Sequence, residues 1–167
     1  MCPPIGMSGA KEIFSPQKHL RPSNVYLTEL AEDDGGHCLI LCTVPAGAVV
    51  PMHSHADRET FYVISGKMDA LRADRWETLG PGDVFDVRDG IKHAWRNSSP
   101  AAATMLCVTT NKLARFLQDI SPSDDDISPD EQAQRFLRLV RANGYWLASP
   151  EENAAVGLTV NWNGPGD

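Results

Sequence analysis

The chain has 167 residues, 42% of them hydrophobic, which is the size of one ordinary domain with enough apolar content to bury a core. Its 15 Lys and Arg against 22 Asp and Glu give a formal net charge of −7, and the basic residues are scattered rather than striped, which argues against a nucleic-acid partner. No apolar run approaches the roughly 20 residues that span a bilayer, and MCPPIGMSGAKEIF lacks the basic-then-apolar order of a secretory signal, so a soluble cytoplasmic protein with no membrane partner is expected.

Residues 1–22 hold Pro3, Pro4, Pro16 and Pro22, two glycines and no periodicity, and read as an extended or disordered N-terminal arm. From Asn24 the pattern changes. VYLTEL, HCLILCTV, TFYVIS, KMDALR, RWETLG, DVFDV, KHAWRN and ATMLCVTT are short β-branched, aromatic or alternating runs separated by turn signals such as EDDGG, PAG, GPGD and NSSPA. Eight closely spaced strands without an intervening helical period predict one all-β block over residues 23–110, a barrel or a sandwich. Cys38, Cys42 and Cys107 sit inside these runs, form no CxxC pair with each other or with Cys2, and are expected as reduced core thiols.

Residues 111–167 read as a helical extension with a tail. KLARFLQDI puts Leu113, Phe116, Leu117 and Ile120 on one stripe, and SPSDDD breaks it. Ser128-Pro129-Asp130-Glu131 is a capping box with proline at the first helical position, so a helix is predicted from there to Asn143, with Gly144 as its stop and Phe136, Leu137 and Val140 as its buried face. Ser149-Pro150-Glu151-Glu152 repeats the start signal for a shorter helix, and NWNGPGD should fray.

The residues that carry chemistry lie between Gly47 and Gly66. His53 and His55 on an extended backbone point to one face, because strand side chains alternate, and Glu59 shares their parity. Imidazole and carboxylate both offer lone pairs to a divalent cation, and His93 in GIKHAWRN supplies a further imidazole, so three nitrogens and one oxygen can form a site. Any one of these histidines taken alone would more often be structural. Phe61 and Val63 share the parity of Glu59 and should line a cavity, Trp95 enters beside His93, Met105 joins the same wall, and Tyr62 and Ile64 should face outward. Asp57 and Arg58 read as loop charges first and as rim contacts for a substrate second, Asn97 as a turn or strand-end stabiliser, Arg88 as a solvated side chain, and His19 and His37 as exposed loop residues.

Residues 47–66 fit Gly-x5-His-x-His-x3-Glu-x6-Gly, and Gly82, Gly90, His93 and Asn97 fit Gly-x5-Pro-x-Gly-x2-His-x3-Asn with Arg88 in the proline's place. In these motifs the chain resembles the cupin superfamily. The resemblance implies a double-stranded β-helix jelly-roll barrel, here with the N-terminal arm and C-terminal helices appended, and one divalent ion (nickel, iron, manganese, cobalt or zinc) held by His53, His55, His93 and Glu59. Over residues 24–150 it is similar to the single-domain cupins grouped with quercetin 2,3-dioxygenases, which implies dioxygenase chemistry on a flavonol-type or other enolisable small molecule. Glu59 would then be both ligand and general base. A non-catalytic binding or sensing module and a sugar or keto-acid isomerase are the other functions this donor set serves. The arm and the helical extension are expected to pair two copies into a homodimer.

Overall fold

Alternation along the strands builds the wall of the molecule. The computed structural model describes residues 22–32, 36–121 and 128–160, and the described residues form ten strands and three helices. In chain order these are β1 (Ser23–Tyr26), β2 (His37–Val44), β3 (Val49–Ser54), β4 (Glu59–Ser65), β5 (Met68–Arg72), β6 (Arg75–Leu79), β7 (Val84–Val87), β8 (His93–Arg96), β9 (Ala103–Thr110), α1 (Asn111–Ile120), α2 (Pro129–Ala142), β10 (Trp146–Leu147) and α3 (Pro150–Ala155). They make two five-stranded antiparallel sheets, ordered β1-β2-β9-β4-β7 and β10-β3-β8-β5-β6. This is the double-stranded β-helix jelly roll with C-terminal helices. Residues 1–21 of the N-terminal arm, with Cys2 and His19, the acidic run at 122–126 and the tail at 161–167 lie outside the described residues.

Strands β2 and β9 form the spine of the first sheet, paired without a break from His37↔Thr110 to Val44↔Ala103. Cys38, Ile40, Cys42 and Val44 alternate inward from one, Ala103, Met105, Cys107 and Thr109 from the other, and all are buried. The three described cysteines are free and buried, as expected. Trp95 crosses between the sheets, with its ring 4.5 Å from Phe61 and 4.8 Å from Phe85, both edge-on. The outer face of the same sheet is apolar in one row. Val25, Leu41, Leu106, Tyr62 and Val84 stand opposite one another across its five strands, and Val25, Tyr62 and Val84 are exposed.

Strands β3 and β10 are absent from the eight runs read in the sequence. Pro51 sits inside β3, where it cannot donate to the ladder, and the register with β8 shifts between Val50 and His53, so a bulge replaces the alternation that would announce the strand. Two residues, Trp146 and Leu147, are too few to show a period at all. Among the glycines, Gly66 (φ +79°) is fixed twice over, since an added Cβ would lie 2.6 Å from the Ala102 carbonyl oxygen.

Both predicted capping boxes are present, Ser128 with Glu131 on α2 and Ser149 with Glu152 on α3. α2 ends at Ala142, and its inner face uses Phe136, Leu139 and Val140, so Leu139 takes the place expected of Leu137. After it, Gly144 (φ +69°) turns the chain so that the Tyr145 N–H returns to the Val140 carbonyl at 3.0 Å. The chain then runs back as β10 along β3, pairing Trp146 with Ser54 and Leu147 with His53. Buried Asn153 secures that return: its Oδ1 accepts the Met52 N–H at 2.9 Å, while its amide donates to the carbonyls of Ala148 and Ser149. Trp76 donates its indole N–H to the Val156 carbonyl at 2.8 Å and ties the end of α3 to β6.

Candidate metal centre

His53 and His93 face each other across the β3–β8 ladder, with ring centroids 4.1 Å apart. His55 lies just beyond the end of β3, its ring 5.6 Å from His53 and 5.0 Å from His93, and Glu59 opens β4 in the opposite sheet. The sequence expectation of three donors on one strand face is corrected here. The bulge at Pro51 and the loop 55–58 bring these residues together from two sheets. His93 and His55 are buried, His53 partly so, and one donor atom from each lies within 4.8 Å of the other two.

The hydrogen bonds on the far side of the rings decide which nitrogen faces inward. Nδ1 of His53 meets the Pro51 carbonyl at 2.7 Å, that of His55 the Asp57 carbonyl at 2.9 Å, and that of His93 the Ile91 carbonyl at 2.9 Å. A carbonyl only accepts, so each Nδ1 carries the proton and each Nε2 presents a lone pair. Among the described residues the Nε2 atoms of His55 and His93 are buried without a hydrogen-bond partner. Orphaned buried acceptors of this kind cost on the order of 1–3 kcal/mol each. A divalent cation satisfies such nitrogens, and the donor set fits one: neutral imidazoles, pinned from behind, beside a carboxylate.

Glu59 Oε2 stands 3.4 Å from His55 Nε2 and 3.6 Å from His93 Nε2, longer than a charge-assisted hydrogen bond, while its Oε1 accepts from the Cys107 thiol at 3.8 Å. Burial first, then the neighbouring His93 and His55, push His53 down to about 3, so this ring is neutral and free to bind a metal across the physiological range. The Cys107 thiol is pushed upward by Cys42, burial and Glu59, and it remains a protonated donor.

A cavity of about 110 Å³ meets the candidate donors at Glu59, and its wall also includes Phe61, Trp95 and Met105 together with Leu117 from α1. Val63, expected in the same wall, is fully buried in the core and does not line it. Asp57, read as a loop charge, is instead buried. Its carboxylate accepts from the Thr110 hydroxyl at 2.6 Å and the Tyr145 hydroxyl at 2.7 Å. Nothing local in the sequence marks Tyr145 as part of this site, beyond its place after the Asn143-Gly144 helix stop. Arg58 and Arg88 are exposed and both pair with Asp86. Asn97 does what its position suggests, with its amide donating to the carbonyls of Val44 and Ala101 and its Oδ1 accepting from Ser99. His37 is exposed at the start of β2.

Among solved structures the chain is similar to TT1209 from Thermus thermophilus, at 20% identity over 54% of this chain and 83% of that one, with a TM-score of 0.48. It is also similar to the Cupin_2 domain of an XRE family transcriptional regulator from Enterobacter cloacae (23% identity, 53% and 95% of the two chains, TM-score 0.46). A protein with a double-stranded β-helix domain from Klebsiella pneumoniae matches at 21% identity, over 62% and 92% of the two chains, with a TM-score of 0.46. No curated protein matches the sequence. Residues 40–109, which run from within β2 to within β9 and contain all four candidate donors, match the family described as the Cupin domain.

Proposed function

We propose that this protein is a metal-dependent enzyme of dioxygenase type acting on a small enolisable or aromatic compound, with His53, His55, His93 and Glu59 as the ligands of one divalent transition ion. The observation that carries the reading is the convergence of three imidazoles, each with Nδ1 spent on a backbone carbonyl and Nε2 left for a metal. Such an ion, when bound, supplies a Lewis acid that polarises a substrate oxygen. Glu59 is the carboxylate that would accept the proton of a substrate hydroxyl and leave an electron-rich enolate. Phe61, Trp95 and Met105 exclude water and hold the apolar part of the substrate. A cavity of about 110 Å³ is well below the roughly 300–1,000 Å³ of pockets for drug-sized ligands, which favours a compact diketone or single-ring substrate over a whole flavonol.

Oxygen uptake by metal-loaded protein, across nickel, cobalt, manganese, iron and zinc and a panel from small diketones to flavonols, tests this. Turnover is expected on the smaller members, and silence across metals and substrates would sink the enzyme reading. One observation favours a second function, a binding or sensing module: Glu59 and Asn24 are the polar side chains among the cavity-lining residues apart from two thiols, which is little machinery for turnover. Ligand-induced thermal stabilisation without product formation would support it.

A second copy of the chain is part of the same reading. The row Val25–Leu41–Leu106–Tyr62–Val84, about 19 Å wide at ordinary strand spacing, supports pairing through the outer face of the first sheet. Light scattering should give a dimer mass that Tyr62→Arg halves. The three free buried thiols are consistent with a reducing, cytoplasmic setting.

A further inference from the structure

Two of the three histidine rings are oriented by backbone that is itself well fixed. The carbonyl that receives His53 Nδ1 belongs to Pro51 within β3, and the one that receives His93 Nδ1 belongs to Ile91, whose N–H closes a turn onto the Arg88 carbonyl at 3.2 Å. His55 is different. Its carbonyl partner is Asp57, in the 55–58 loop that crosses from one sheet to the other. Side chains hold that loop: Thr109 Oγ1 donates to the Arg58 carbonyl at 3.0 Å, and the buried Asp57 carboxylate takes the Thr110 hydroxyl on one oxygen and the Tyr145 hydroxyl on the other. Both Asp57 contacts, at 2.6 and 2.7 Å, have the short O···O separation of hydroxyl-to-carboxylate bonds.

Tyr145 is in turn placed by several contacts. Its ring meets Phe116 of α1 edge-on at 4.9 Å and lies 5.4 Å from the His55 ring, and Lys112 Nζ sits 5.2 Å over it and 3.8 Å from Asp57 Oδ2. The turn at Gly144 delivers Tyr145 to this point, and β10 follows at once along the strand that carries His53. We propose that Tyr145 is a positioning residue of the metal centre. Its hydroxyl holds Asp57, and through the Asp57 carbonyl it fixes the His55 imidazole, so that the segment after α2 sets the affinity of a site to which it contributes no donor. The affinity part rests on the reading that the site takes a metal; the orientation of His55 does not.

Cobalt(II) is a suitable probe, titrated into metal-free full-length wild type and Tyr145→Phe and followed by its ligand-field absorption, with the histidine N–H resonances recorded before metal is added. Tyr145→Phe keeps the ring against Phe116 and His55 and removes only the hydroxyl. It should raise the Kd for cobalt about 10-fold, at the low end of the 10–100-fold typical of outer-shell partners. It should also shift the absorption band and cost the His55 Nδ1–H its protection while that of His93 persists. Unchanged Kd, band and His55 resonance would overturn the proposal, and so would equal loss of protection at all three histidines, which marks general loosening. If wild type takes up no cobalt, the metal reading and the affinity claim fall together, and the His55 resonance alone decides whether Tyr145 orients the ring. Asp57→Asn offers a second variant should Tyr145→Phe not fold: it leaves one acceptor oxygen for two hydroxyls and should move all three readouts the same way.

Discussion

The barrel and the segment after α2 divide the work at the candidate centre unequally. Strands β3, β4 and β8 and the loop after β3 supply all four donors, whereas residues 145–153 supply none yet hold two sides of the arm that bears His53 and His55. The candidate donors are set by covalent spacing on the two sheets of the jelly roll. On the proposal above, the orientation of one of them, His55, depends on chain that returns to the barrel about ninety residues later, as the Asp57–Tyr145 bond spans 88 positions. Ligand identity and ligand rigidity are therefore encoded in different parts of the sequence, and substitutions should separate them.

The largest expected effect is on the barrel side. His93→Ala removes a fully buried donor and should weaken cobalt binding by more than about 100-fold, beyond the range of outer-shell changes, by the same titration. Retained tight binding would mean that the centre lies elsewhere. Trp95→Ala tests whether the barrel's aromatic cross-brace is structural: loss of a buried ring packed on Phe61 and Phe85 should cost about 3–5 kcal/mol in urea unfolding, whereas a cost under about 1 kcal/mol would show the cavity wall collapsing to fill the gap.

On the other side, Asn153→Ala should cost about 1–3 kcal/mol, because the buried Met52 N–H loses its acceptor, and it should leave the count of bound metal ions unchanged. A variant that loses metal outright would break the division drawn above. The smallest effect lies on β7, where it pairs with β4. Thr60, followed by Arg58 and Arg88, holds the Asp86 carboxyl down to about 2. A depressed carboxyl stabilises the fold above its unfolded pKa of about 3.9 and loses that contribution as pH falls towards 2. Melting temperatures at pH 5 and pH 3 should differ less in Asp86→Asn than in wild type, and an equal difference would remove Asp86 from the account.

Much of this was legible in the sequence because it follows from local rules. The strands with clean alternation, the paired capping boxes and the Gly144 stop all have short-range causes, and the four donors sit in two motifs with fixed spacing. What was not legible has long-range causes. Pro51 hides β3 because a bulge and a missing donor erase its period, although the strand carries His53. Asp57 resembles any loop acid until the end of β9 and the turn after α2 bring Thr110 and Tyr145 against it. Val63 has the parity of a cavity residue, yet strand parity fixes only the side of the sheet, and core side chains fill the space in front of it.

The central claim is that His53, His55, His93 and Glu59 hold a metal. Elemental analysis of wild-type protein purified without chelator tests it most directly. About one transition-metal ion per chain is expected; a chain that carries none, and takes up none on incubation with nickel, cobalt, manganese, iron or zinc, would contradict it.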